Sequence, residues 1–154
     1  MPKPPVRPQR PIADNRKARH DYEVLDVLEA GIELVGSEVK SLRAGKVQVN
    51  GAHARVIDGQ AMLLGVHIAE YPFSHQFNHD PERPRRLLLH ASEIARLHES
   101  LRQQGLAAPL LRLYFSGSRI KAEIAIGRGR KAHDKRDAIR DRESKREIAR
   151  HHRG

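Results

Sequence analysis

The chain contains no cysteine. Disulfides and thiolate metal ligands are therefore excluded, and the composition fits a reducing compartment. It also contains no tryptophan and only three tyrosines and three phenylalanines. A protein that grips unfolded single strands normally displays a platform of exposed aromatics. Their scarcity excludes such a platform; a nucleic-acid partner would have to be met as folded RNA is, through shape and phosphate. No apolar run reaches the ~20 residues that a membrane-spanning helix needs. The opening "MPKPPVRPQRP" is basic and has no apolar stretch, unlike a secretory signal. A cytoplasmic protein with no membrane partner is expected.

Signatures of chemistry are missing too. The sequence has no P-loop, no G-x-G-x-x-G and no H-E-x-x-H. His75 and His79, with His67 upstream, fall in a stretch that reads as a loop without metal-ligand spacing, so no metal is expected. His133 and Asp134 are adjacent and would suit an acid–base pair, but nothing in a flexible tail would hold their geometry. The protein is expected not to be an enzyme and to need no cofactor.

What is abundant is positive charge, 29 Lys and Arg against 19 Asp and Glu, for a formal net charge of +10. Its placement is uneven. Residues 1–21 carry six basic and two acidic groups, and residues 127–154 carry eleven and five; residues 22–126 carry twelve of each. Two cationic ends thus flank a neutral body. Arrays of Lys and Arg bind polyphosphates by releasing condensed counterions. A membrane surface would use the same charge but would also require an apolar face, which the tail lacks.

Residues 1–14 hold five of the nine prolines and read as a disordered basic arm. From Tyr22, "DYEVLDVLEAGIELVG" reads as two strands joined at Glu29-Ala30-Gly31. Tyr22 and Val24 are out of phase with Leu25 and Val27, which predicts a bulge. "SEVKSLRAG" predicts a short helix capped by Ser37, with Val39 and Leu42 inward and Lys40 and Arg43 outward. "HARVIDGQAMLLGVHI" predicts a hairpin turning at Asp58-Gly59, with Met62, Leu64, Val66 and Ile68 on one side. "RRLLLH" is a short strand. Residues 92–105 predict a helix capped by Ser92, burying Ile94, Leu97 and Leu101 and stopping at Gly105. "PLLRLYFSGSRIKAEIAIG" predicts a hairpin: Leu111, Leu113 and Phe115 alternate with Arg112 and Tyr114, and Ile120, Ala122, Ile124 and Ile126 with Lys121 and Glu123.

About seven short strands and two short helices suit a mainly β protein, an antiparallel barrel of the oligonucleotide-binding (OB) type over residues 15–126. An open α+β sheet is the second choice. Residues 127–154 contain two large aliphatic side chains, Ile139 and Ile148. Burying both recovers roughly 3–6 kcal/mol. Ordering each residue costs on the order of 1–2 kcal/mol. A disordered basic tail is expected, becoming helical only against a polyanion.

Several dispersed segments resemble the SmpB family, the partner proteins of transfer-messenger RNA (tmRNA). They are "NRKARHDY" (15–22), "EAGIELVGSEVKSLRAGK" (29–46), "FNHDPERPRRLLLH" (77–90), "PLLRLYF" (109–115) and "GRKAHDKRDAIRDRESKRE" (129–147), all in order. The resemblance implies an OB-type barrel that holds the tRNA-like domain of tmRNA. With elongation factor Tu and GTP, such a protein brings the charged RNA to stalled ribosomes for trans-translation, the tagging of the unfinished chain. It implies RNA backbone contacts from Asn15, Lys17, Arg19 and His20 and from Lys40, Arg43 and Lys46. Glu29 would be a conformational and RNA-contacting acid. Leu88 and His90 would border the RNA surface, against the plain alternative that Leu88 is core packing. Gly129, Lys131, His133, Asp134, Lys135 and Arg136 would occupy the decoding centre of the small ribosomal subunit, with the tail beyond entering the mRNA channel. A monomer is expected. A structural ribosomal or ribosome-assembly protein is the alternative.

Overall fold

The computed structural model describes residues 9–74 and 78–130. The elements, in chain order, are β1 (Gln9–Asp14), α1 (Arg16–Asp21), β2 (Tyr22–Ile32), α2 (Gly36–Arg43), β3 (Val47–Gln48), β4 (His53–Ile57), β5 (Gln60–Leu64), β6 (His67–Ile68), β7 (Arg85–Leu88), α3 (Ala91–Leu101), β8 (Leu106–Ala107), β9 (Leu110–Ser116) and β10 (Arg119–Gly129). The main sheet runs β1-β9-β10-β2-β7-β5-β4, with β8 beside β10 and a separate β3-β6 pair. Every pairing is antiparallel.

The mainly β, antiparallel class is the expected one, but the sheet is open rather than a closed barrel. The reason lies in residues 9–14. They form an edge strand on β9, paired from Gln9↔Ser116 to Asp14↔Arg112, and are not part of a disordered arm. An edge tolerates Pro11, whose missing N–H is not needed there, and the register slips between Pro11 and Ala13. The opposite end, β4, reaches the start of β9 only through an isolated bridge, His53↔Pro109.

Two other boundaries shift. Residues 22–32 are one continuous strand, so Glu29 lies mid-strand and not in a joining turn. The predicted bulge is present: Ile126 pairs with Asp26 and Gly127 with Val24, leaving Leu25 as the extra residue. β10 continues past Ile126 to Gly129, which faces Tyr22. The tail therefore starts later than residue 127, and the expectation of disorder from residue 131 onward lies outside the described residues.

The core follows from alternation, with local corrections. On β10, Ile120, Ala122, Ile124 and Ile126 all enter the main core, as expected. The Asp58-Gly59 turn forms with φ of 51° and 75°. On β5, however, Ala61 and Leu63 are buried, while Met62 and Leu64 lie on the other face. Gly65, at φ 79°, breaks the alternation before Val66 and Ile68 turn inward. On β9, a bulge between Leu110 and Arg112 sends Leu110 and Leu113 to the main core. Leu111 goes instead under α1, against Ala18 and Ala125. Tyr114 is buried as well, its ring covered by the Arg112 guanidinium at 4.2 Å.

Helix α3 buries Leu97 fully, with Ile94 and Leu101 packed on the core as the spacing requires. Its cap position is His90, whose N–H donates to Glu93 at 3.0 Å, and not Ser92. Helix α2 likewise starts early, its cap two residues before Ser37. Val35 caps it, donating its N–H to Glu38 at 3.0 Å, while Ser37 turns inward. Among the described residues, no helix is long and apolar enough to cross a membrane.

Candidate nucleic-acid interface

Helix α2 is fixed by a buried ionic network. Neither the Glu38 nor the Arg85 side chain is exposed, and Arg85 Nε donates to Glu38 Oε2 at 2.6 Å. Arg83 reaches the other carboxylate oxygen, Oε1, through Nε at 3.2 Å. Arg85 also donates to the carbonyls of Val66 at 2.7 Å and Pro81 at 3.0 Å. Burial would raise the Glu38 pKa. The bonds from Arg83, the Val35 N–H and Arg85, with the Arg85 charge, outweigh it and hold the carboxyl below its ordinary value. Burial lowers the Arg85 pKa, against the opposing pull of Glu38. The pair thus ties α2 to β7 and to the segment before it.

His79 locks the same corner. It is buried, its Nδ1 lies 2.8 Å from Ser37 Oγ and its Nε2 lies 2.8 Å from Ile68 O. Because a carbonyl only accepts, Nε2 carries the proton and Nδ1 accepts from Ser37. This is a satisfied core histidine, not the surface-loop residue the sequence suggested. No group that could hold a metal occurs among the described residues.

On this frame Lys40, Arg43 and Lys46 are all exposed, as expected. Lys40 Nζ stands 5.3 Å from the Tyr71 ring centre, and Tyr71 meets Phe73 edge-on at 5.4 Å. Phe73 is 73% exposed. Sequence reasoning missed this cation-aromatic corner. Its only signal was Pro72 beside Phe73, a turn that points an aromatic outward.

Leu88 is half exposed, whereas Leu87 is buried, so core packing does not account for Leu88. It lies across Gly31, so close that a Cβ there would sit 3.3 Å from the Leu88 Cβ. Gly31 in turn pairs with Lys121 on β10, and Lys121 with Tyr114 on β9. The neighbouring row runs Asp14, Arg112, Glu123, Glu29. Two carboxylates, Glu29 and Glu123, are thus cross-strand neighbours. Arg112 offsets their repulsion, its Nε 2.8 Å from Glu123. Burial, a hydrogen bond to Glu29 and the Glu29 charge hold the Tyr114 phenol well above its ordinary value. Glu29 itself is exposed. His90 is exposed at the start of α3.

The N-terminal motif divides. Asn15 is only 1% exposed. Its Nδ2 donates to Val49 O and Leu110 O, both at 2.9 Å, and its Oδ1 accepts the Ala18 N–H at 3.1 Å. Its amide is consumed inside the fold. Asn15 anchors α1, which carries the exposed Lys17 and Arg19. Arg19 pairs with Asp14 at 3.3 Å, and His20 Nδ1 lies 3.1 Å from Asp21. Gly129 sits in β10. Lys131, His133, Asp134, Lys135 and Arg136 lie outside the described residues.

The arrangement is a sheet face and a helix bearing exposed cations, an apolar residue and an acid, with no assembled catalytic group among the described residues. The family model described as SmpB protein matches residues 12–154. The chain belongs to the SmpB family. An SsrA-binding protein of Symbiobacterium thermophilum is 52% identical over 146 residues, covering 94% of this chain and 92% of the relative. One from a Roseiflexus species is 52% identical over 143 residues, covering 92% and 90%. A solved structure described as "tmRNA-SmpB: a journey to the center of the bacterial ribosome" is 45% identical, with a TM-score of 0.68. It covers 85% of this chain and 96% of that one. The match to the SmpB family thus takes in nearly the whole described fold and also the sequence beyond Arg130.

Proposed function

We propose that this protein is a non-catalytic RNA-binding translation factor. It binds the tRNA-like domain of tmRNA and delivers it to stalled ribosomes for trans-translation. The observation that carries this is family membership over residues 12–154, with relatives named as SsrA-binding proteins. The structural ribosomal or assembly-protein reading has no comparable support.

Lys40, Arg43 and Lys46 of the α2 surface meet phosphates, and Glu29, Leu88 and His90 meet the same RNA from the sheet face and the start of α3. Lys17, Arg19 and His20 add contacts from α1. Gly129, Lys131, His133, Asp134, Lys135 and Arg136 work at the ribosomal decoding centre, and the remaining tail enters the mRNA channel. A cationic segment suits a tunnel lined by ribosomal RNA, since phosphate neutralisation offsets the entropy of ordering it. The protein acts in the cytoplasm as a monomer, together with elongation factor Tu and GTP.

The direct test is to isolate the protein from cells and sequence the RNA that comes with it. tmRNA should dominate; ribosomal RNA alone, in equal amount on every ribosome, would support the alternative. A chain ending at Arg130 keeps all of β10. It should bind tmRNA with most of the full affinity and fail to support tagging. Tagging by that truncated chain would refute the role given to the tail.

A further inference from the structure

A cleft of about 480 Å³ opens between α1, residues 50–55 and residues 106–109. Its volume falls within the roughly 300–1,000 Å³ typical of small-ligand sites. It lies apart from α2 and Leu88, and apart from Lys17 and the buried anchor Asn15 none of its lining has been given a role.

Its walls carry complementary chemistry. Lys17 from α1 and Arg55 from β4 line it. Both are exposed, and neither side chain has an ion pair or hydrogen bond among the described residues. Asp21 supplies the only carboxylate in the lining and lies 3.1 Å from His20 Nδ1. The cleft therefore has an excess of positive charge. Beside the cations are two rings, His53 and the half-buried Tyr22, and the Asn50 amide. His53 Nδ1 lies 3.0 Å from Gly51 O. A carbonyl only accepts, so Nδ1 carries a proton, and in that tautomer Nε2 is an acceptor.

We propose that this cleft takes one nucleotide of an RNA strand, with its phosphate on Lys17 and Arg55 and its base against Tyr22 and His53. A base has a face for the rings, N–H groups for the His53 acceptor and a polar edge for Asn50. An acidic peptide would use the two cations and leave the rings and the acceptor idle. That the nucleotide belongs to an RNA rests on the function proposed above; the cleft's preference for nucleotides does not.

Gly51 supplies a clean probe. A Cβ there would meet nothing within 4 Å, and the backbone is not in the left-handed region. Gly51→Asp thus puts a carboxylate at the cleft without steric strain. The test is a titration of the full-length protein, followed by backbone-amide NMR, with adenosine monophosphate, with inorganic phosphate and with adenosine as separate arms. The amides of Gly51, Ala52, His53 and Ala107 should shift saturably with the nucleotide, and at higher concentrations or not at all with either fragment. Gly51→Asp should weaken nucleotide binding about tenfold through charge repulsion, and Arg55→Ala should weaken it severalfold. Arg119→Ala, at an exposed position outside the cleft, should leave it unchanged. Equal response to phosphate and nucleotide would reduce the cleft to a plain anion site and overturn the proposal. So would silence at those amides up to about 10 mM nucleotide, or full affinity in Gly51→Asp with its spectrum otherwise intact. A protein that binds the nucleotide but retrieves no tmRNA from cells would defeat the function proposed above and leave the cleft standing.

Discussion

Glu38 on α2 and Arg85 on β7 meet at 2.6 Å, 47 residues apart in the chain, with neither side chain exposed. Each is costly to bury alone, and each makes the other's burial tolerable. Their contact fixes the helix that presents Lys40 and Arg43 relative to the strand that presents Leu88. Removing one partner leaves an uncompensated buried charge. Glu38→Ala or Arg85→Ala should therefore destabilise the fold by about 3–5 kcal/mol. Urea unfolding followed by circular dichroism would measure this. A loss below about 1 kcal/mol, the level of a surface pair, would show that the network is not what holds α2.

The same carboxylate sets an acid limit. Glu38 has its pKa held below the ordinary 4.5 in the folded chain. The unfolded chain therefore takes up this proton first as pH falls. The stabilisation is complete above about pH 4.5 and disappears as pH falls through the lower folded value. The stability gap between the native protein and Glu38→Gln should stay constant from pH 7 to about 5 and narrow below that. Urea midpoints measured across this range would show it, and a gap unchanged down to pH 3 would contradict the assignment.

Leu87 and Leu88 are neighbours on one strand with opposite fates, 1% and 50% exposed. Leu87→Ala opens a core cavity and should cost about 2–5 kcal/mol. Leu88→Ala should change stability by no more than about 0.5 kcal/mol and yet weaken binding to the tRNA-like domain. Thermal unfolding and a filter-binding assay on both variants separate the roles. A Leu88→Ala protein that binds normally would remove Leu88 from the interface.

The cations of the α2 surface predict a salt signature. Each phosphate that a variant no longer neutralises should lower the slope of log affinity against log salt by about one. Lys40→Ala, Arg43→Ala and Lys46→Ala should each do so without moving the unfolding midpoint. Slopes equal to the native protein's, measured over a salt series, would show that this surface does not face phosphate.

These sites differ in how far the sequence could disclose them. The Asp58-Gly59 turn, the Ile94-Leu97-Leu101 stripe and the bulge at Leu25 were legible because each is written in adjacent or regularly spaced residues. The outward direction of Lys40 and Arg43 was legible from helical spacing. The Glu38–Arg85 pair was not, because its partners are far apart and buried charge looks like surface charge in one dimension. β1 was hidden because Pro11 argues against a strand, and only the edge position on β9 makes it acceptable. Closure into a barrel was overread for the same reason: strand count is local, and which strand occupies an edge is not. The family resemblance named Asn15 as a contact, while the fold consumes its side chain.

Asn15 offers the sharpest separation of scaffold from interface. Its amide bridges Val49 O and Leu110 O, and its carbonyl caps α1. Asn15→Ala removes three hydrogen bonds in a buried setting and should destabilise the protein by about 1–3 kcal/mol. Its salt slope for RNA should match the native one, because every phosphate stays neutralised as before. Lys17→Ala, two residues further along on the exposed side, should do the reverse: unchanged unfolding, weaker binding and a shallower slope. Asn15→Asp refines the test, since it keeps the acceptor for Ala18 and loses both donors, setting a carboxylate against two carbonyls. It should be at least as destabilising as Asn15→Ala. An Asn15→Asp protein of native stability with weakened RNA binding would mean that the side chain turns outward to the ligand, and that the anchoring role assigned to it is wrong.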